Sequence, residues 1–178
     1  MHEQPKKAIH QFAQSQAVEA KHAPRLDAWL SESYPIREAT MAEQWQGIDR
    51  VAITFDGYVT IDYKCDEKAR KTDRLFLETV SNSVTGRPGW MRTSRADWLV
   101  YFVVPETVWM FRFDRLRRMM PGWQRTYGER AARNVSYATL GVCVPVTVAV
   151  SAVEYLARLA HGDGAVLEVS DRWRGTRG

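Results

Sequence analysis

Apolar residues recur at helical spacing from about Val18 to Leu30, with Ala23, Leu26 and Leu30 close to one face, although Pro24 argues against one unbroken helix. Residues 1–17 are polar and Gln/Ala-rich and read as a flexible lead-in. Pro35 suits the start of a second helix, reaching through Ile36, Ala39, Met41 and Ala42 toward Trp45. The period then shortens to two. Asp49–Phe55 and Tyr58–Lys64 are β-rich runs joined by Asp56-Gly57, a strong hairpin signal, so an antiparallel pair is expected.

Residues 66–74, DEKARKTDR, form a charge run that belongs in solvent, and Leu75–Val80 reads as a third strand carrying Glu78. SNSVTGRPG is a loop by its Ser, Gly and Pro content. Thr93 or Ser94 suits the cap of a short helix ahead of Trp98–Val104, a continuous apolar run fit for a strand covered on both faces. A neighbouring strand follows at Val108–Phe113, then a basic helix capped by Asp114 and ended by Pro121-Gly122. Residues 123–141 read as an irregular surface excursion. Val142–Val146 is a short strand, and Val150, Val153, Leu156 and Leu159 have helical spacing up to Gly162 and Gly164. The expected organisation is a single domain over 18–162 with a loose tail over 163–178.

With 178 residues the chain can bury one substantial core. No segment approaches twenty uninterrupted apolar residues and the first residues lack a signal-peptide core, so neither a membrane span nor export is expected and the cytoplasm is the expected compartment. Cys65 and Cys143 lie far apart without zinc-ligand spacing and read as reduced, strand-borne residues. The four histidines lie near the chain ends, which leaves the central sheet without a base for serine or cysteine hydrolysis. A net charge of +4 is compatible with a polyanionic partner.

Pairing about Asp56-Gly57 would set Asp49 roughly opposite Lys64 and diagonally near Asp62. Asp62 and Lys64, two apart on one strand, share a face, while Ile61, Tyr63 and Cys65 take the other. Carboxylates gathered in this way repel one another unless a cation intervenes, and oxygen ligands select a hard ion such as Mg2+ or Mn2+. Asp-x-Lys also occurs by chance on exposed strands, where it carries no chemistry.

Asp49 in GIDR, followed across a hairpin by Asp62-Tyr63-Lys64, resembles the signature of the PD-(D/E)xK nuclease superfamily over about residues 36–113. The resemblance implies an α/β fold with a restriction endonuclease-like mixed central sheet and flanking helices. It also implies that Asp49 and Asp62 bind the metal and Lys64 serves the hydrolytic water. Glu43 matches the acid that resolvase-like members supply from a preceding helix, and Glu78 would add a carboxylate from the third strand. Two departures stand out: Ile48 replaces the proline that names the signature, and no strand is evident ahead of Asp49.

The implied activity is metal-dependent endonuclease hydrolysis of nucleic acid, DNA before RNA, in a bacterial or phage-infected cell. A homodimer suits a compact nuclease that must cut two strands. The alternative is a catalytically inactive nuclease-fold module that binds nucleic acid or protein. Arg87, Arg92 and Arg95 follow the candidate site and would clasp phosphates. Trp90 in the same loop either stacks on a base or folds back onto the sheet. Arg112, Arg115, Arg117 and Arg118 form a second basic group, read as a solvated helix face. Arg125, Arg130 and Arg133 with Tyr127 form a third.

Overall fold

A tight turn sets the register of the central hairpin. The computed structural model describes residues 6–134, 136–159 and 166–169. In it β2 (Arg50–Thr54) and β3 (Gly57–Asp66) pair antiparallel, Thr54 against Gly57 and Arg50 against Ile61. Phe55 and Asp56 form the two-residue loop, and Gly57 opens β3 at φ 129°, where a side chain would be strained. The turn thus comes one residue earlier than Asp56-Gly57. Continuing the ladder by one position puts Asp49 across from Asp62, not from Lys64.

The first described element is α1 (Lys6–Ser31), which starts upstream of Val18 and passes through Pro24. Ile36–Glu38, expected in a helix, is instead β1, an edge strand antiparallel to β2. The helix is delayed to α2 (Met41–Gln44), where Thr40 and Glu43 cap one another reciprocally. β1 supplies the strand ahead of Asp49 that the apolar pattern did not reveal.

Beyond β3 come α3 (Ala69–Thr72), β4 (Arg74–Asn82), β5 (Arg87–Pro88) and α4 (Trp90–Thr93). Of the charge run, Ala69 is buried, because Asp66 accepts the Lys68 and Ala69 N–H groups and folds the turn inward. The short helix lies ahead of Ser94 instead of after it, since Gly89 opens α4. β6 (Trp98–Val103) and β7 (Thr107–Arg112) follow as expected. α5 (Phe113–Tyr127) continues through Pro121 to Gly128, at φ 66°.

The excursion expected at 123–141 is the end of α5 followed by a hairpin, β8 (Glu129–Arg133) with β9 (Ala138–Pro145). The helix expected over Val148–Leu159 is also absent. α6 (Val146–Ala149) and a 3-10 turn (Val150–Ala152) lead into β10 (Tyr155–Leu159), whose buried Ala157 and Leu159 alternate with exposed Arg158. Pairing with β7 overrides the helical spacing there. β11 (Val166–Val169) extends the sheet into what was read as tail. Residues 1–5, the expected stops at 162 and 164, and the tail from 170 lie outside the described residues.

The result is a mixed α/β fold. Seven strands run in the order β1-β2-β3-β6-β7-β10-β11, antiparallel except for the parallel pair β3–β6. The two crossovers, from β3 to β6 and from β7 to β10, build a second sheet, β5-β4-β9-β8. The strand expected at Leu75–Val80 is β4, an inner strand of this second layer.

β6 explains the two cores. Leu99, Tyr101 and Val103 face the second sheet and α5, while Val100 and Phe102 face α1 through Leu26, Trp29 and Leu30. Phe102 is fully buried, worth about 2–3 kcal/mol of hydrophobic stabilisation. No helix among the described residues is long and apolar enough to cross a membrane.

Candidate functional site

The site forms where β2 ends and β3 continues without it. The Asp49 N–H donates to the Ile61 carbonyl at 2.8 Å, and the Asp49 carboxylate then takes the place of the missing strand, accepting the Tyr63 N–H at 2.7 Å. The Tyr63 carbonyl accepts from the Lys64 ammonium at 2.7 Å. Side chains thus satisfy the open edge that backbone would otherwise cover.

Asp62 points to the core between the sheets and is 2% exposed. Its Oδ1 accepts from Lys64 Nζ at 2.5 Å. Burial pushes the Asp62 carboxyl up to about 6; Lys64 and Ser94 work against the rise and Asp49 adds to it. Lys64 keeps 21% of its side chain exposed, and burial alone would lower its pKa. Asp62, Glu19 and Asp49 outweigh burial and raise it, so the ammonium stays charged.

The cluster contains a residue the motif did not name. Glu19, on α1, stands 3.7 Å from Lys64 Nζ. Burial raises its pKa, Lys64 lowers it, and Asp49 and Glu78 raise it further. Its position is fixed two turns along the helix, where Asp27 takes a paired grip on Arg50 at 2.8 and 2.9 Å and accepts the Tyr63 hydroxyl at 2.9 Å. The signal was present in the sequence: Glu19, Ala23, Leu26 and Leu30 follow i, i+4, i+7 and i+11, so a carboxylate occupies an inward position of the apolar stripe.

Glu78 approaches from the second sheet. Its pKa is raised by burial, offset by the Trp90 N–H, Lys64 and Arg87, with Asp62 adding to the rise. Its Oε1 accepts the Trp90 N–H at 3.3 Å. Gly89 permits this approach, since a Cβ there would come within 2.6 Å of Glu78 Cγ and 2.7 Å of its carbonyl oxygen. Among the described residues, four carboxylates, from α1, the loop before β2, β3 and β4, therefore interact around Lys64.

Glu43 is not among them. Arg37 takes both its oxygens at 2.8 Å, and the Thr40 N–H adds a third bond at 2.7 Å. The Arg37 hydrogen bonds, then those of Thr40, hold its carboxyl down at about 2. It builds the capping box of α2, so α2 brings no acid to the cluster, whereas Glu19 on α1 does.

The loop residues separate. Trp90 is folded back and partly buried, packed edge-on against Phe113 with ring centres 6.3 Å apart. Arg87, Arg92 and Arg95 are exposed, and none has a carboxylate within ion-pair distance among the described residues. The second basic group is spent within the molecule. Arg115 pairs with Glu154 at 2.6 Å and Arg118 with Asp114 at 2.9 Å. Arg117 donates to the Met91 and Ser94 carbonyls and lies over the Phe113 ring. Both cysteines are free and partly buried, on β3 and β9.

Among the described residues, no group of three or more His, Cys, Asp or Glu is arranged to hold a metal ion as it stands. Asp49 is engaged with the Tyr63 N–H and Asp62 with Lys64. What the arrangement offers is an excess of acceptor oxygens around one ammonium, reached from the edge of β3. No family model, no curated protein and no solved structure matches the chain.

Proposed function

We propose that the protein hydrolyses nucleic-acid phosphodiester bonds, DNA before RNA, with the help of Mg2+ or Mn2+, on a restriction endonuclease-like form of this mixed sheet. One observation carries the reading. Glu19, Asp49, Asp62 and Glu78 interact with one partly buried lysine, so the fully ionised cluster has an excess of negative charge that a further cation would offset. Burial is the main reason that the Asp62, Glu19 and Glu78 carboxyls are raised, and neighbouring carboxylates add to it.

The donor set is all oxygen, which suits a hard divalent ion. Asp49, Asp62 and Glu19 are the residues that would hold it, and doing so requires Lys64 to release Asp62 Oδ1. When bound, such an ion polarises a phosphoryl oxygen and lowers the pKa of water. Lys64, charged throughout the neutral range, orients the attacking water or offsets charge building on the phosphoryl group. Arg87, Arg92 and Arg95 are free to contact phosphates on the approach to the site.

A second reading is a non-catalytic module of the same fold. The closed Asp62–Lys64 pair favours it, because it neutralises the most buried acid without a metal. The two are separated by a cleavage assay on duplex, nicked, branched and single-stranded DNA and on RNA, with Mg2+ or Mn2+. The native protein is expected to cut at least one substrate in a metal-dependent way, and Asp62→Asn to cut none. Metal-dependent cutting retained in Asp62→Asn removes the site assignment. Binding without cutting, unaffected by Lys64→Ala, selects the non-catalytic module.

A further inference from the structure

Trp45 is 82% exposed, an unusual position for the side chain with the largest apolar surface. The backbone beneath it is firmly tied. The Thr40–Glu43 capping box and the Arg37 clamp fix α2, and the Trp45 N–H donates to the Met41 carbonyl at 3.1 Å. The Ile48 N–H returns to Glu43 at 3.1 Å, and the Arg95 N–H donates to Gln46 at 2.7 Å. Gly47, at φ 73°, packs so closely on Ser94 that a Cβ would lie 3.0 Å from its Cα.

This loop leads straight into the site. Trp45 precedes Asp49 by four residues, and Ser94, against which Gly47 packs, is the buried hydroxyl that helps to lower the Asp62 pKa. The exposed indole is thus carried by a tied loop that leads into Asp49, and the backbone of Arg95, whose side chain is also exposed, is hydrogen-bonded to the same loop at Gln46. Among the described residues, the other exposed large aromatics, Phe55 and Tyr58, sit at the tip of the β2–β3 hairpin. Five ladder positions, about 17 Å, separate that tip from Asp49.

We propose that Trp45 is a stacking platform for an unpaired base, so that the site acts on single-stranded or frayed nucleic acid in preference to continuous duplex. The proposal rests on the phosphodiester reading above. An indole face accepts a base whose own face is uncovered, and in duplex interiors both faces are already stacked. A protein partner fits less well. Apart from Met41, one turn earlier, no exposed large apolar residue lies on this segment, whereas a stable protein interface needs about 800 Å² per partner. The neighbouring Arg95 supplies charge suited to the phosphates that flank a stacked base.

The test is fluorescence anisotropy without divalent cation, using a labelled single strand of roughly 12 nucleotides and a blunt duplex of the same sequence. The native protein, Trp45→Ala, Trp45→Phe and Asp62→Asn are compared. Trp45→Ala is expected to weaken single-strand binding about tenfold while duplex binding changes by less than about twofold. Its salt dependence should match that of the native protein, since the indole neutralises no phosphate. Trp45→Phe should retain most of the affinity, and abasic nucleotides should abolish the difference between native protein and Trp45→Ala. Matching thermal unfolding curves check that the exposed substitution leaves the fold intact. Single-strand binding unchanged in Trp45→Ala, or an equal loss on duplex, overturns the proposal. If that happens while metal-dependent cutting persists, the nuclease reading survives alone. Native protein that binds neither strand form overturns the stacking proposal, and if it also cuts no substrate with Mg2+ or Mn2+ it overturns both.

Discussion

Lys64→Met keeps the apolar stem and removes the cation that Asp62, Glu19 and Asp49 share. Burial raises the Asp62 carboxyl from 3.8 to about 6 even with Lys64 present. A folded-state value above the unfolded one means that this group's contribution to stability is complete below pH 3.8 and is lost as pH rises through about 6. The gap of roughly two pH units corresponds to about 3 kcal/mol. Lys64 titrates far above this window, so its charge is constant across it and its removal acts through the acids. At pH 8 the variant holds Asp62 buried without its counter-ion, a loss of roughly 3–5 kcal/mol. At pH 5 Asp62 is protonated in the variant, Glu19 and Glu78 are raised in the same direction, and the loss should fall to about 1 kcal/mol. Urea denaturation of both proteins at pH 5, 6, 7 and 8 measures the difference. A saturating divalent cation should restore part of the loss at pH 8, by about 2.7 kcal/mol at a hundred times its dissociation constant. An equal loss at pH 5 and pH 8, or none at pH 8, refutes the electrostatic account of the cluster.

Three further outcomes follow from the same geometry. Glu19→Gln should lower divalent-ion affinity by calorimetry, and any cleavage, about 10- to 100-fold without lowering the melting temperature at pH 8, because its ionised form is disfavoured by the fold. Glu43→Ala should leave cleavage within about twofold of native, as expected for a residue outside the reacting centre. It should lower the melting temperature at neutral pH, with the difference narrowing as pH falls below 4.5 toward about 2, since a depressed carboxyl gives stability that acid removes. Gly89→Ala should cost roughly 1–3 kcal/mol in urea denaturation, because the new Cβ meets Glu78 backbone atoms that cannot swing away.

The hairpin and the Asp49, Asp62 and Lys64 set were legible because both are local. Alternation assigned the strands, and a spacing of two put Asp62 and Lys64 on one face. The exact register was not, because Gly57 opens β3 instead of closing the turn, and this brought Asp49 two positions closer to Asp62 along the partner strand. β1 and β10 were misread as helix because their short apolar pattern fits either period, and pairing with β2 and β7 decided between them. The second sheet was illegible for a different reason: β4 pairs with β9, more than sixty residues away, and no local pattern records that.

Glu19 shows how the local and the distant combine. Its inward place on α1 is written in the spacing to Ala23, Leu26 and Leu30, but its meeting with Lys64 depends on where α1 docks. That docking is fixed by Asp27, which binds Arg50 on β2 and Tyr63 on β3, the strands that flank the site. Substituting apolar residues of similar volume for a buried ion pair is often neutral or stabilising, so folding alone gives little reason to hold Asp62 beneath two cores. The scaffold nonetheless directs a helix, a hairpin and a second sheet toward it, and leaves glycine at position 89 so that Glu78 can approach. On the proposed reading, a cluster gathered from α1, the loop before β2, β3 and β4 is accounted for by the cation it would bind.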